Sequence, residues 1–318
     1  MGKFAVVFGL SRLRKGPVKG HYRKVHGKRT WIPAHTDKRT KKAEQPTLVD
    51  VPPQAQPTTS RGSAATEIRT TPKGNKQYLY PDEHYVEAAR QKVARVKTLA
   101  AALPKIVNGY GTALAKADTP KDKVLAAIVA LIDRCYFRIG SDRYAEAHAP
   151  TYGVSTLRPE HVDVHGNEIQ FKFAGKKQVE WDKATTDPRL AAFVSDLKAN
   201  APGDKLFWYH DTDGTQKPVK ADDVNAYLKP HGITAKDFRT YHATRLAHEA
   251  LKRVSRKTSD EPLTKKEIKA RIKEAVASVA EQLGHTVGVC KKSYILPQVL
   301  EHYTEHGGLI GAVPWGAS

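Results

Sequence analysis

The stretch KDKVLAAIVALIDRCYF, Lys121 to Phe137, constrains this chain more than any other. Apolar residues fall on nearly every side of a helix drawn through it, so no face is left for water. Such a helix is stable only when other elements surround it. Thr119 has the residue type of an N-cap, and Pro120 suits the first helical position, where its missing N–H costs nothing.

The rest of the chain supplies the surrounding elements. From Pro81 to about Ala117 the pattern is helical, with Val86, Ala89, Val93, Val96, Leu99 and Ala100 at spacings of three and four. Alternation then takes over. HVDVHGNEIQFKF turns at His165–Asn167, and a second turn at Ala174–Lys177 leads into QVEW, which predicts a three-stranded antiparallel sheet. Beyond it DPRLAAFVSDLKAN, ADDVNAYLKPHG, KDFRTYHATRLAHEALKRV and KKSYILPQVLEHYTEH carry apolar stripes, so the chain is expected to be helical to its end. Thr264 and Glu267 form a capping box that opens a helix reaching Leu283, and Gly284 ends it. The expected fold class is mainly α with a small antiparallel β-sheet, an α+β arrangement.

Before this body lies a different kind of sequence. Residues 1–42 hold thirteen Lys and Arg against one acid, Asp37. They read as a basic arm, either a small hairpin about His26–Gly27 or a disordered, phosphate-binding tail. His21, His26 and His35 lack the cysteine or paired carboxylates of an ordinary metal site, so no metal is expected there. Residues 43–66 are rich in Pro, Ser, Thr and Ala and read as a linker. IRTTPKGNKQYLY then suggests a hairpin turning at Lys73–Asn75.

Charge narrows the function. Lys and Arg number 53 and Asp and Glu 33, a net charge of +20. That balance points to a polyanionic partner, nucleic acid first. Two cysteines, Cys135 and Cys290, exclude a disulfide scaffold and fit a reducing compartment such as the cytoplasm. No run of apolar residues is long enough to span a membrane. The apolar segment of MGKFAVVFGLSRLRKG precedes its basic residues, the reverse of a secretory signal.

Cutting a phosphodiester with a protein nucleophile needs fixed cations on the phosphate oxygens and a proton for the departing 5′-oxygen. Arginine suits the first task because its planar fork bridges two oxygens. Lysine suits the second because burial beside other cations lowers its pKa. The chain offers Arg138 after the buried helix, Lys176 at the second sheet turn, Arg239 near a helix start, and then His285 and Tyr294. Singly, each has a bland explanation as a surface or packing residue.

Taken in order, these motifs resemble the type IB DNA topoisomerases of the poxvirus-like and bacterial branch. RIGSDRY (138–144) and TYGVSTLRPEHV (151–162) are similar to the family's first-arginine region. FAGK is similar to its hairpin lysine motif and KDFRTY (236–241) to its second-arginine motif. LGHTVGVCKKSYILP is similar to its histidine–tyrosine segment. The similarity covers roughly Lys76 to Tyr303. It implies a catalytic domain of the kind shared by tyrosine recombinases and type IB topoisomerases, over 86–305. A remnant of the β-rich DNA-clamp domain precedes it at 67–85, and a short tail follows at 306–318.

The resemblance implies roles as well. Tyr294 would attack a backbone phosphate to form a 3′-phosphotyrosyl link, with Arg138, Arg239 and His285 stabilising the transition state. Lys176 would protonate the 5′-oxygen, with the adjacent Lys177 as its competitor. Gln77, Tyr78, Tyr80, Tyr144 and Lys236 would contact DNA. The link conserves the bond energy, so neither ATP nor a metal nor another cofactor is expected. The expected partner is double-stranded DNA, gripped by a monomer acting as a clamp. A tyrosine recombinase is the nearest alternative. It usually presents the second arginine as HxxR, whereas here the lysine of Lys236-Asp-Phe-Arg239 matches the topoisomerase form. A non-catalytic DNA-binding protein is the remaining reading, and it leaves the complete five-residue set unexplained.

Overall fold

The computed structural model describes residues 65–70, 74, 76–115, 120–255 and 263–311, and the backbone of two strands near the N-terminus. The chain divides into two compact units, Met1–Ser63 and Ala64–Ser318. In the first, β1 (His21–Val25) pairs antiparallel with β2 (Lys28–Ile32). The turn His26–Gly27, the linker up to Ala64 and the side chains of His21 and His35 lie outside the described residues.

The second unit opens with a hairpin of β3 (Glu67–Thr70) and β4 (Lys76–Leu79). Lys73 and Asn75 of its expected turn are outside the described residues, as is the expected cap Thr119. The long helix α1 (Asp82–Ala115) follows, and then α2 (Pro120–Cys135). Every residue of α2 from Val124 to Ile132 is buried, as its all-round apolar pattern demands. Helix α1 packs along α2 with Val96, Leu99, Ile106 and Tyr110 turned inward.

After a short helix α3 (Asp142–Ala145) comes the sheet of β5 (Val162–His165), β6 (Glu168–Gly175) and β7 (Val179–Thr186), antiparallel in that order. Alternate residues Ile169, Phe171 and Phe173 of β6 are buried, the period of two expected of a half-buried strand. The second turn starts two residues later than the sequence suggests. β6 runs to Gly175, and the reversal uses Lys176, Lys177 and Gln178, the last two in left-handed conformation.

Helix α4 (Pro188–Ala199) is capped by Asp187, whose carboxylate accepts the backbone N–H groups of Arg189 and Leu190. The expectation of helix to the end of the chain then fails once. β8 (Trp208–His210) and β9 (Gln216–Pro218) form a hairpin. The reason is the Asp-Thr-Asp-Gly turn. The Asp211 and Asp213 carboxylates accept the N–H groups of Thr212 and Thr215, and Gly214 takes φ +77°.

Helices α5 (Ala221–Leu228), α6 (Ala235–Ser255) and α7 (Lys265–Gln282) come next. The Thr264–Glu267 capping box forms in both directions, and Gly284 ends α7 at φ +60°. A second correction concerns KKSYILPQVLEHYTEH, which is not one helix. A turn of helix α8 (Val287–Val289) passes into a π-helical turn, Cys290–Tyr294. The chain is extended at Ile295 and Leu296, and α9 (Pro297–His306) begins at the proline. Proline disfavours helix in the residue before it, which separates Tyr294 from α9. The second unit is mainly α with small antiparallel sheets. Among the described residues, no helix is long and apolar enough to cross a membrane.

Candidate active site

Arg138 is delivered by the end of the buried helix. Tyr136 takes the left-handed φ of +61° just past α2, and Phe137 drops into the core against Phe171, Phe173 and Trp181. The next residue is thereby turned out of the core. The segment TYGVST then clamps its backbone. Val154 N–H donates to the Arg138 carbonyl and Ser155 N–H to that of Ile139, both at 2.8 Å. The approach is close enough that a Cβ on Gly153 would lie 2.4 Å from the Gly140 nitrogen. Glycine is required there by contact rather than by turn geometry.

Arg239 arrives differently. Thr234 and Asp237 cap α6, with the Asp237 carboxylate accepting from the Thr234 backbone N–H and hydroxyl and from Arg95. Within that turn Lys236 faces a cavity while Arg239 is 2% exposed. Its Nη2 donates to the Leu283 carbonyl at 2.6 Å and lies 2.8 Å from Nε2 of His285. Its Nε and Nη1 are buried without a protein partner.

His285 sits between the two arginines, with Arg138 Nη2 2.9 Å from its Nδ1. Burial first, then the two guanidiniums, pull its pKa down to about 3, so the ring is neutral. A neutral imidazole has one acceptor nitrogen and one N–H, so it can satisfy just one of the two arginines. The set therefore has more donors than acceptors, which is the chemistry of an oxyanion site.

Tyr294 completes the set. Its hydroxyl oxygen accepts from Arg138 Nη1 at 3.1 Å, and its ring stacks on His285 with centroids 4.2 Å apart. Imidazole lone pairs lie in the ring plane, so a stacked histidine is poorly placed to take the phenol proton. Burial alone would raise the Tyr294 pKa, but Arg138 and Arg239 outweigh it and bring it below the ordinary value. The lowering comes from cations and not from a base. Three of these groups, Arg138, Arg239 and Tyr294, line a cavity of about 590 Å³. Five Lys or Arg line it, namely Arg138, Lys176, Lys177, Lys236 and Arg239, and no carboxylate does. A polyanion fits such a wall and a cationic or neutral metabolite does not.

Of the ten site residues expected from the sequence, six line this cavity and a seventh, His285, contacts three of those six. Arg138, Arg239, His285 and Tyr294 are in mutual contact, and Lys176, Lys236 and Tyr144 lie on its wall. Both Lys176 and Lys177 are exposed on the hairpin turn, so position does not choose between them. Gln77, Tyr78 and Tyr80 are not brought to the cavity wall. They lie on and after β4, where Tyr80 stacks on His84. No cluster of metal-ligating residues occurs among the described residues.

Sequence reasoning missed the groups that hold the tyrosine's backbone. Thr244 is fully buried. Its hydroxyl accepts the Leu296 N–H at 3.1 Å and lies 3.3 Å from the Tyr294 carbonyl. Lys92 donates to the Ile295 carbonyl at 3.2 Å. Burial, then Lys236 and Arg95, bring Lys92 down to about 8. Neither residue stands in a motif, and no spacing in the sequence singles them out.

Comparison with known proteins now adds a family to this geometry. The sequence model described as "Eukaryotic DNA topoisomerase I, catalytic core" matches residues 81–308, most of the chain and the whole set of four contacting groups. The chain belongs to the type IB DNA topoisomerases. It is 31% identical over 245 residues to the DNA topoisomerase 1B of Acanthamoeba polyphaga mimivirus, covering 74% of this chain and 71% of the relative. It is 25% identical over 232 residues to the DNA topoisomerase 1B of vaccinia virus strain Copenhagen, covering 72% and 69%. The DNA topoisomerase 1 of Mycosarcoma maydis is 27% identical over 193 residues, but the match spans only 19% of that longer protein. As a topoisomerase of this poxvirus-like type, the chain is an isomerase whose substrate class is DNA, and its fold is the family's α+β catalytic core.

Proposed function

We propose that this chain relaxes supercoiled duplex DNA by nicking one strand through Tyr294. The observation that carries the reading is the Tyr294 hydroxyl, bonded to Arg138 and set beside Arg239 in a cavity walled by cations without a carboxylate. The Tyr294 oxygen attacks the phosphorus and gives up its proton to water. The bond from phosphorus to the 5′-oxygen breaks, leaving a 3′-phosphotyrosyl link. Arg138 and Arg239 hold the non-bridging oxygens, and His285 donates its N–H to one of them. Lys176 on the hairpin turn gives the departing 5′-oxygen its proton, with Lys177 as the competing donor. The free end rotates. The 5′-hydroxyl then attacks the phosphotyrosine, returns its proton to the lysine and breaks the bond to Tyr294, whose oxygen takes a proton back from water. Bonds made equal bonds broken, so the cycle calls for neither ATP nor a metal.

Binding follows the same chemistry. Lys236 and Tyr144 on the cavity wall, and Gln77, Tyr78 and Tyr80 on the β4 side, are the proposed DNA contacts of a monomer that grips duplex DNA. The basic segment 1–42 adds phosphate contacts by charge. Nothing in the comparisons favours the recombinase alternative. The test is incubation of supercoiled plasmid with the full chain in EDTA without ATP. A ladder of partially relaxed topoisomers is expected. Band retardation without relaxation would reduce the chain to a DNA-binding protein, and products needing a specific pair of sites would favour the recombinase.

A further inference from the structure

One cation near the site contacts neither the cavity nor a carboxylate. Lys183, on β7, donates from its ammonium to two backbone carbonyls, Cys135 at 3.1 Å and Gln282 at 2.8 Å. Cys135 is the last residue of α2 and Gln282 the last of α7. Arg138 follows the first by three residues, and His285 follows the second by three. Both helices direct unpaired carbonyls and the negative end of their dipoles at this point, where a buried cation is most favourable.

We propose that Lys183 is a positioning residue for the phosphate-binding set, its one ammonium fixing together the two helix ends from which Arg138 and His285 are delivered. This rests on the proposed function, in which those two groups hold the phosphate. Strand β7 supports the role a second time. Trp181, two residues earlier on the same face, packs edge-on to Phe137, the residue before Arg138. It also fills the space beside Gly284, the residue before His285, where an added Cβ would come within 2.8 Å of the indole. The hairpin that carries Lys176 is thus also the template against which the two other loops are set, so the proton donor and the phosphate donors share one register.

Groups from three helices and from its own strand face Lys183. Cys135 and the Tyr136 ring face it from the end of α2, the Gln282 carbonyl from α7, Trp181 from its own strand and the Arg239 charge from α6. Burial brings its pKa down to about 8, with Cys135 opposing the shift and Arg239 adding to it. Raising the pH through that value removes the charge and weakens both carbonyl bonds, so phosphate attack slows on the alkaline side.

The test is single-turnover formation of the covalent adduct by the full chain, from about pH 6 to about pH 9.5. The substrate is a labelled duplex carrying a 5′-bridging sulfur at its strongest mapped cleavage site. A thiolate leaves without a proton, so the rate on this substrate does not depend on proton donation by Lys176. Tyr294 titrates in every variant, so the ratio of wild type to Lys183→Arg isolates Lys183. That ratio is expected to fall above about pH 8. Lys183→Met is expected to slow adduct formation about 10- to 100-fold at neutral pH with DNA binding retained, and the sulfur substrate will not rescue it. Lys183→Met at the wild-type rate overturns the proposal. So does a wild-type to Lys183→Arg ratio that stays level across the range, which decides the matter even if Lys183→Met fails to fold. A wild-type chain that forms no adduct at all overturns the proposed function and this inference with it.

Discussion

Thr244→Val probes how Tyr294, the proposed nucleophile, is held. The side chains have the same shape, so the change removes one hydroxyl from a fully buried position. That hydroxyl donates back to the Thr240 carbonyl at 2.7 Å and accepts the Leu296 N–H at 3.1 Å. Thr240 keeps its helical place without it. The Leu296 N–H loses its partner in a dry environment, at a cost of about 1–3 kcal/mol. For a folded unit of this size that corresponds to a fall of about 2–12 °C in Tm. The extended segment Ile295–Leu296 then relaxes, and Tyr294, one peptide earlier, moves with it. A displacement near 1 Å at a nucleophile costs about 10²-fold in rate. Thermal unfolding and single-turnover adduct formation on a labelled duplex read the two effects separately. An unchanged Tm with an unchanged rate would refute the argument, since it would mean that Leu296 finds another partner and that the strap does not set the tyrosine.

Three further outcomes follow from the site. Arg239→Lys, measured as cleavage rate against DNA affinity, is expected to lose about 10²- to 10³-fold in rate with affinity nearly unchanged, because an ammonium lacks the planar fork that reaches the Leu283 carbonyl with one nitrogen and phosphate oxygens with the others. Gly153→Ala places a Cβ 2.4 Å from the Gly140 nitrogen. It should lower Tm by an amount matching about 1–3 kcal/mol and slow cleavage through displacement of Arg138, measured by the same two assays. The His285 ring, held at about 3, should keep neutral-imidazole nitrogen shifts in NMR spectra down to pH values well below those of an ordinary histidine. The unfolded chain takes up that proton near the usual histidine pKa. His285 therefore costs no stability above that value and lowers it progressively as the pH falls toward about 3, which a pH series of Tm in wild type and His285→Asn would resolve.

Much of the fold is legible because the decisive signals are local. The all-round apolar pattern of α2, the alternation through β6 and the Thr264–Glu267 cap each dictate an element from its own residues. The β8–β9 hairpin carried its signal too, in Asp-Thr-Asp-Gly, but the helical stripes on either side outweighed it. The break after Tyr294 was written in Leu296-Pro297 and masked by the apolar spacing across it. The order of the five motifs picks out Arg138, Arg239, His285 and Tyr294, whose side chains meet. What supports them was hidden. Thr244, Lys92 and Lys183 act through backbone carbonyls and N–H groups of segments far away in sequence, and such partners have no residue type to betray them.

The account turns on Tyr294 holding a DNA end. Duplex DNA incubated with the chain, quenched in detergent and digested with protease and nuclease, gives a peptide whose mass and fragmentation locate the attachment. The expected result is a 3′-phosphonucleotide on the peptide carrying Tyr294, absent in Tyr294→Phe although that variant still binds DNA. An adduct on another residue, a 5′-phosphoryl link, or undiminished cleavage by Tyr294→Phe would contradict it.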